Sequence, residues 1–199
     1  MKNVIAVSAC LKRCSVAVSY EGSLYAVNEN VDAAENLVWL ADNLIKSENI
    51  DLKKLEGIIT TSGPGSFTGI RVAQSFAKGL ALALRLPAIC INYFDVLENM
   101  YSGNYRNNIF AVIKNDENTI CCRIRGEYRF VSPEVLAESL KNPVVLIGDA
   151  IAEVSPYMKG KIIEAVYRTD FRKAEYLLNF MHRIREGGSV RPLYVSGLR

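Results

Sequence analysis

Apolar residues, read by their spacing, divide the chain into short strands and two long helices. Asn3 to Ala9, Cys14 to Tyr20 and Ser23 to Asn28 are β-type runs, and Glu21-Gly22 between the last two is a hairpin signal. From Ala33 to Glu48, Leu37, Leu40, Ala41, Leu44 and Ile45 recur on one face with Val38 at its edge, which predicts a helix with Asp32 as N-cap. Trp39 falls on the opposite face, among Glu35, Asn43 and Lys46, so it is either covered by another part of the chain or exposed as a contact. Gly57 to Thr61 reads as a strand, and Ile70 to Arg85 as a second helix. On that helix Arg71, Gln74, Lys78 and Arg85 form a narrow polar arc, while Ala73, Ala77 and Ala81 step along an apolar remainder. An apolar arc that wide exceeds what one sheet face covers. It fits a deeply buried helix, or one packed against a helix pair of another subunit.

Pro87 to Ile91 predicts a strand and Tyr93 to Met100 a short helix, so residues 1–100 read βββαβαβα. The polar stretch Tyr101 to Asn108 is the expected boundary between a first subdomain, 1–100, and a second, 101–199. Ile109 to Lys114 and Thr119 to Arg125 form an expected hairpin across Asn115–Asn118, followed by a strand at Tyr128 to Val131. Ser132-Pro133-Glu134 opens a helix, and Pro143 to Gly148 is a buried strand. Ala150 to Arg168 is weakly patterned, Asp170 to Glu186 reads as one helix ended by Gly187-Gly188, and the tail from Ser189 is irregular and basic. No internal repeat is visible.

The chain has 199 residues, half of them hydrophobic, which is a globular profile with length enough for one large domain or two small ones. The net charge of +3 is unevenly placed: residues 1–99 carry nine Lys/Arg against ten Asp/Glu, and 100–199 carry fifteen against eleven. The basic second half suits an acidic partner or nucleic acid, or is simply a solvated face. Five cysteines form no CxxC pair and the one histidine, His182, has no His-x-x-x-His companion. Zinc is therefore not expected, and buried free thiols in a reducing compartment are. With neither a secretory leader nor a membrane span, the expected location is the cytoplasm.

Candidate chemistry concentrates in Thr60-Thr61-Ser62-Gly63-Pro64-Gly65-Ser66-Phe67-Thr68-Gly69-Ile70-Arg71, between a strand and a helix. Glycines there let backbone N–H groups approach an anion closely, and a helix start adds free donors. It is no Walker A loop, because no Gly-Lys-Ser/Thr follows. Two readings stay open: an anion or nucleotide site, and a turn that only shapes the chain.

Gly63 to Arg71, followed by Ala77-Lys78-Gly79-Leu80-Ala81, closely resembles the signature of the TsaB (YeaZ) family of threonylcarbamoyladenosine biosynthesis. Cys14-Ser15-Val16-Ala17-Val18 and Arg191-Pro192-Leu193-Tyr194-Val195 resemble the family's second strand and closing segment. The resemblance implies an actin-like ATPase (ribonuclease H-like) α/β fold: two related subdomains with mixed sheets flanked by helices. It implies a non-catalytic accessory subunit that pairs with a TsaD-like threonylcarbamoyltransferase, is joined by a TsaE-like ATPase, forms a homodimer when alone and serves tRNA indirectly. The two helices flanking the loop would be the pairing surface, with Leu37, Trp39, Leu40, Ala73, Phe76, Ala77 and Leu80 as partner-binding residues. Gly63, Pro64, Gly65, Ser66, Phe67, Thr68, Gly69 and Arg71 would form the loop or touch a nucleotide. No catalytic residue, metal or required cofactor is expected, although weak ATP or ADP binding at a subunit boundary is compatible with the fold.

Two departures from the family pattern favour a scaffold. Ser8-Ala9-Cys10 stands where relatives have Asp-Thr-Ser/Thr, losing the aspartate that orients metal and phosphate in active members, and Lys114-Asn115-Asp116 stands for Asp-Ala-Arg. The competing functions are a glycoprotease-like peptidase, which needs a base near Ser66, and a weak ATPase of the actin-like superfamily.

Overall fold

The computed structural model describes residues 2–10, 13–105, 108–124, 126–191 and 196–197, with only the backbone of Cys10, Ser196 and Gly197. The chain divides into two compact units, Met1–Tyr93 with Arg172–Leu193, and Phe94–Phe171 with Tyr194–Arg199. The division expected at residue 100 thus lies at 93–94, and residues 172–193 rejoin the first unit. Tyr101, read as part of a polar break, is instead 2% exposed, and its hydroxyl donates to Glu164 at 2.8 Å.

In the first unit, β1 (Val4–Cys10), β2 (Arg13–Tyr20) and β3 (Ser23–Glu29) form an antiparallel meander. Glu21 and Gly22 turn between β2 and β3 with φ of 50° and 91°, conformations that glycine adopts without penalty. β4 (Gly57–Gly63) and β5 (Ala88–Asn92) extend the sheet in parallel, giving the order β3-β2-β1-β4-β5. Helices α1 (Ala33–Ser47) and α2 (Phe67–Leu84) cover one face. There Ile5, Val7, Val16, Val18, Leu37, Leu40, Ile58, Ala73 and Ala77 make one core. The alternate residues of the strands face residues 172–188: Ser15 Oγ accepts from the Ala174 N–H at 2.7 Å, and Gly57 and Gly188 leave room for Ile184 and Ile89.

The second unit repeats this topology. β6 (Ile109–Lys114), β7 (Ile120–Ile124) and β8 (Glu127–Val131) are an antiparallel meander, and β9 (Val144–Gly148) and β10 (Ile162–Tyr167) extend it in parallel. A short β11 (Ser196–Gly197) adds to the far edge, giving β10-β9-β6-β7-β8-β11. One face is covered by α4 (Pro133–Ser139) and α5 (Ile151–Val154), with Val112, Ile120, Cys122, Leu136, Leu146 and Val154 in a second core. On the other lies α3 (Tyr93–Met100), whose Phe94 ring meets Tyr128 at 5.4 Å and whose Asp95 and Glu98 bond Arg123. Asp116 caps the β6–β7 turn, accepting from the Asn118 and Thr119 N–H groups at 2.9 and 2.8 Å.

Three expectations require correction. Helix α2 starts at Phe67, not Ile70, because Ser66 acts as N-cap and its Oγ accepts from the Gly69 N–H at 3.4 Å. The stretch 150–168 contains the strand β10, whose burial pattern hides the two-residue period because it is an edge strand. Asp170 to Glu186 is not one helix but α6 (Ala174–Leu177) followed by a 3-10 segment, Leu178–Ile184, with Phe180 at φ −102° and ψ 15°. Residues 192–195 of the closing segment lie outside the described residues.

Candidate functional site

Thr61, two residues before the end of β4, begins the candidate site. The β4–β5 register shifts between Thr61 and Gly63, interrupting the ladder. Two side-chain bonds hold this break: Gln74 Nε2 donates to the Thr61 carbonyl at 3.0 Å, and Thr61 Oγ1 accepts from the Gly63 N–H at 2.9 Å. Gly63 has φ +101°, a backbone conformation that favours glycine, and a β-carbon there would lie 2.7 Å from Ile70 Cδ1, so the end of that side chain would have to yield. Only Pro64, Gly65 and Ser66 then separate strand from helix. The Thr61 and Ser66 hydroxyls are thus spent on the loop's own shape. Gln74, expected on the polar arc, is 3% exposed and faces the sheet as part of this clamp.

From the clamp, α2 runs beside α1, and a groove of about 520 Å³ lies between them. It is lined by Leu37, Val38, Phe67, Arg71, Val72 and Phe76, among others. Val38 and Phe67 are 64% and 61% exposed, and the Arg71 guanidinium lies 3.6 Å from the Phe67 ring centroid. An aromatic and an arginine stacked at an open apolar groove is the composition that dominates protein contacts. Thr68 also lines the groove, and Gly69 is buried.

The residues predicted to bind a partner do not all reach this surface. Leu40, Ala73 and Ala77 are at most 3% exposed and belong to the unit's own core, and Leu37, 1% exposed, belongs to that core while also lining the groove. The alanine ridge lets α2 lie close on its own sheet, so it needs no second subunit to account for it. Phe76 and Leu80 are half-buried, and only Phe76 lines the groove. Trp39 is 60% exposed but lines a different depression, on the β3 side of α1. Val38 and Phe67 line the groove although neither is among the partner-binding residues expected from sequence. Val38 was visible at the edge of the apolar face, and Phe67 was hidden by placing it in the loop.

The positions of active-site chemistry elsewhere in the fold are occupied by structural bonds. Ser8 is buried, its Oγ donating to the Arg172 carbonyl at 2.5 Å and meeting Tyr93 Oη at 2.6 Å. It has no free oxygen pair to orient a metal–phosphate group, so this residue does not fit that role. Lys114 pairs with Glu153 at 2.6 Å, and Asp116 is held in its turn. Burial pushes the thiols of Cys14 and Cys90 up to about 11 and those of Cys121 and Cys122 up to about 12, so none is a ready nucleophile. His182 is exposed beside Asn179 and Arg185, while Ser66 Oγ serves as the α2 cap. Among the described residues no three His, Cys, Asp or Glu side chains converge as metal ligands, and no helix is long and apolar enough to cross a membrane.

Comparison with known proteins agrees with this architecture. A family model described as TsaD: tRNA N6-adenosine threonylcarbamoyltransferase matches residues 31–165. The chain is 28% identical to the Haemophilus influenzae tRNA threonylcarbamoyladenosine biosynthesis protein TsaB, covering 96% of this chain and 92% of that protein. With the Buchnera aphidicola TsaB of Schizaphis graminum the identity is also 28%, but the match spans about half of each, 56% of this chain and 54% of the relative. Against the Fervidobacterium nodosum tRNA N6-adenosine threonylcarbamoyltransferase, identity reaches 41% over 35% of this chain and 20% of that enzyme. Among solved structures, YeaZ from Pseudomonas aeruginosa superposes with a TM-score of 0.75 at 24% identity, covering 98% of this chain and all of that one. The fold is the actin-like, ribonuclease H-like one.

Proposed function

The chain belongs to the family that the tRNA N6-adenosine threonylcarbamoyltransferase model describes, on its TsaB (YeaZ) side, and we propose that it is a non-catalytic accessory subunit of threonylcarbamoyladenosine formation on tRNA. In this reading it acts in the cytoplasm, offers the α1–α2 groove to a TsaD-type catalytic subunit, and needs no cofactor of its own. A TsaE-type ATPase joins that pair, and tRNA is met through the partners. Without the catalytic subunit, the groove takes a second copy of the chain.

The observation that carries the reading is the open groove with Val38, Phe67 and the Arg71–Phe67 stack on its walls. The buried, hydrogen-bonded state of Ser8 and the burial of Cys14, Cys121 and Cys122 support a scaffold over a peptidase or an ATPase. The test is titration of the purified chain with a co-expressed TsaD-type subunit. Phe67→Ala and Val38→Glu should each weaken pairing at least tenfold while leaving the thermal midpoint of the isolated chain unchanged. Pairing at full strength in both variants would overturn the assignment. Ala77→Asp is unsuitable, because that side chain sits in the core and its loss of pairing would report unfolding.

A further inference from the structure

The duplicated topology exposes an asymmetry at the sheet edges. Strands β2 and β3 join across a two-residue turn with Tyr20 opposite Ser23, and in the β7–β8 pair Ile124 stands opposite Glu127. Counted from those pairs, Tyr25 and Ala26 of β3 occupy the places of Arg129 and Phe130 of β8. In the second unit that place is taken: β11 pairs there in parallel, Ser196 with Arg129 and Gly197 with Phe130. In the first unit β3 ends the sheet.

A two-residue hairpin closes on a hydrogen-bonded pair, so Ser23, Tyr25, Val27 and Glu29 bond to β2. Leu24, Ala26 and Asn28 then turn their N–H and C=O groups outward, and among the described residues no backbone group bonds them. Proteins usually blunt such an edge with lysine, proline or a bulge. β3 reads Ser-Leu-Tyr-Ala-Val-Asn-Glu and keeps an unbroken register over all seven residues. The other sheet's outer parallel strand, β10, by contrast, carries a register shift.

Next to this edge is a depression of about 240 Å³ lined by Val27 and Glu29 of β3 and by Trp39, Leu40, Asn43 and Leu44 of α1. It lies where a strand added to β3 would place its α1-facing side chain. Trp39 forms an exposed apolar wall, and Glu29 has no cationic partner among the described residues.

We propose that the β3 edge is a second docking site, which takes an extended segment of another protein as a parallel sixth strand, with an apolar side chain beside Trp39 and a lysine or arginine near Glu29. The site is separate from the α1–α2 groove and does not depend on what that groove binds.

The test starts from a displayed library of random twelve-residue peptides selected against the full chain, with the enriched peptides then synthesised. The expected peptides carry an apolar residue two positions from a Lys or Arg, so that both side chains fall on the α1-facing side of the added strand. Their affinity should fall at least tenfold with Ala26→Pro, which removes an outward donor on an edge that tolerates proline, and with Trp39→Ala, and should be unchanged with Phe67→Ala. Binding should slow amide exchange at Leu24, Ala26 and Asn28. A benzophenone on the peptide's amino end should label near Leu24. Labelling near Glu29 instead would overturn the parallel sense. An absence of enriched peptides, or sensitivity to Phe67→Ala in place of Ala26→Pro, would overturn the site. If Ala26→Pro turns a dimer of the isolated chain into a monomer, the occupant is a second copy and the proposal fails.

Discussion

Replacing Gln74 with leucine tests how the loop and α2 are held to the sheet. The substitution keeps about the same volume and removes one donor, the amide that bonds the Thr61 carbonyl at 3.0 Å. Thr61 is fully buried where the β4–β5 register breaks, so water cannot take the donor's place. A buried carbonyl left without its partner costs about 1–3 kcal/mol. With a urea dependence of about 1–3 kcal/mol per molar, a loss near 2 kcal/mol moves the unfolding midpoint by roughly 1 M. Far-UV circular dichroism and the fluorescence of Trp39, the sole tryptophan, follow the transition. The exposed Lys78→Ala is the control, expected within about 0.5 kcal/mol of the parent. A Gln74→Leu midpoint within about 0.2 M of the parent would refute the clamp and return Gln74 to the solvent-facing arc.

Two further outcomes follow from the geometry. The four described thiols have folded pKa values raised by burial to about 11–12, above the ordinary value of 9.0. Their contribution to stability is therefore intact below about pH 9 and is lost as pH climbs towards 11–12. Urea midpoints measured from pH 7 to 10.5 should fall at the alkaline end, and less steeply in a Cys121→Ala, Cys122→Ala double variant; equal slopes would contradict the burial. Gly148 has φ +138°, and a β-carbon there would lie 1.9 Å from the Val112 carbonyl oxygen. Gly148→Ala should thus cost more than about 3 kcal/mol and abolish exchange protection across β6 and β9, whereas native protection in a soluble variant would refute that close approach.

The long elements were legible because burial and period coincide in them. Leu37, Leu40, Ala41 and Leu44 are the buried face of α1, and Asp32 caps it as expected, its side chain accepting from the Ala34 N–H. Where a second period competes, reading fails. Leu177 and Phe180, like Leu178 and Ile184, lie at multiples of three residues, which suits a 3-10 segment as well as a helix, and Phe180 breaks the α geometry. β10 presents neither a buried face nor an unbroken register. In the site, the glycine loop stood out in sequence, yet Gln74 did not. A polar residue between Arg71 and Lys78 looks solvent-facing until the strand above it is known to offer an unbonded carbonyl. The duplication was equally hidden, because strand order and pairing repeat while side chains do not.

The return of residues 172–193 to the first unit makes that unit discontinuous in sequence. Its sheet is complete by Asn92, and α1 and α2 already cover one face. The opposite face waits for Ala174, Ile184 and Gly188, which leave the ribosome after residues 94–171 of the other unit have been made. Ser8 and Ser15 find their partners, the Arg172 carbonyl and the Ala174 N–H, only then. During synthesis the earlier-made half therefore carries a bare apolar surface for about eighty residues of elongation, and at roughly 5–20 residues per second that is about 4–16 s. A chain stalled before Arg172 keeps that surface open, which makes the late-made segment 172–193 the closing step of the fold that was begun first.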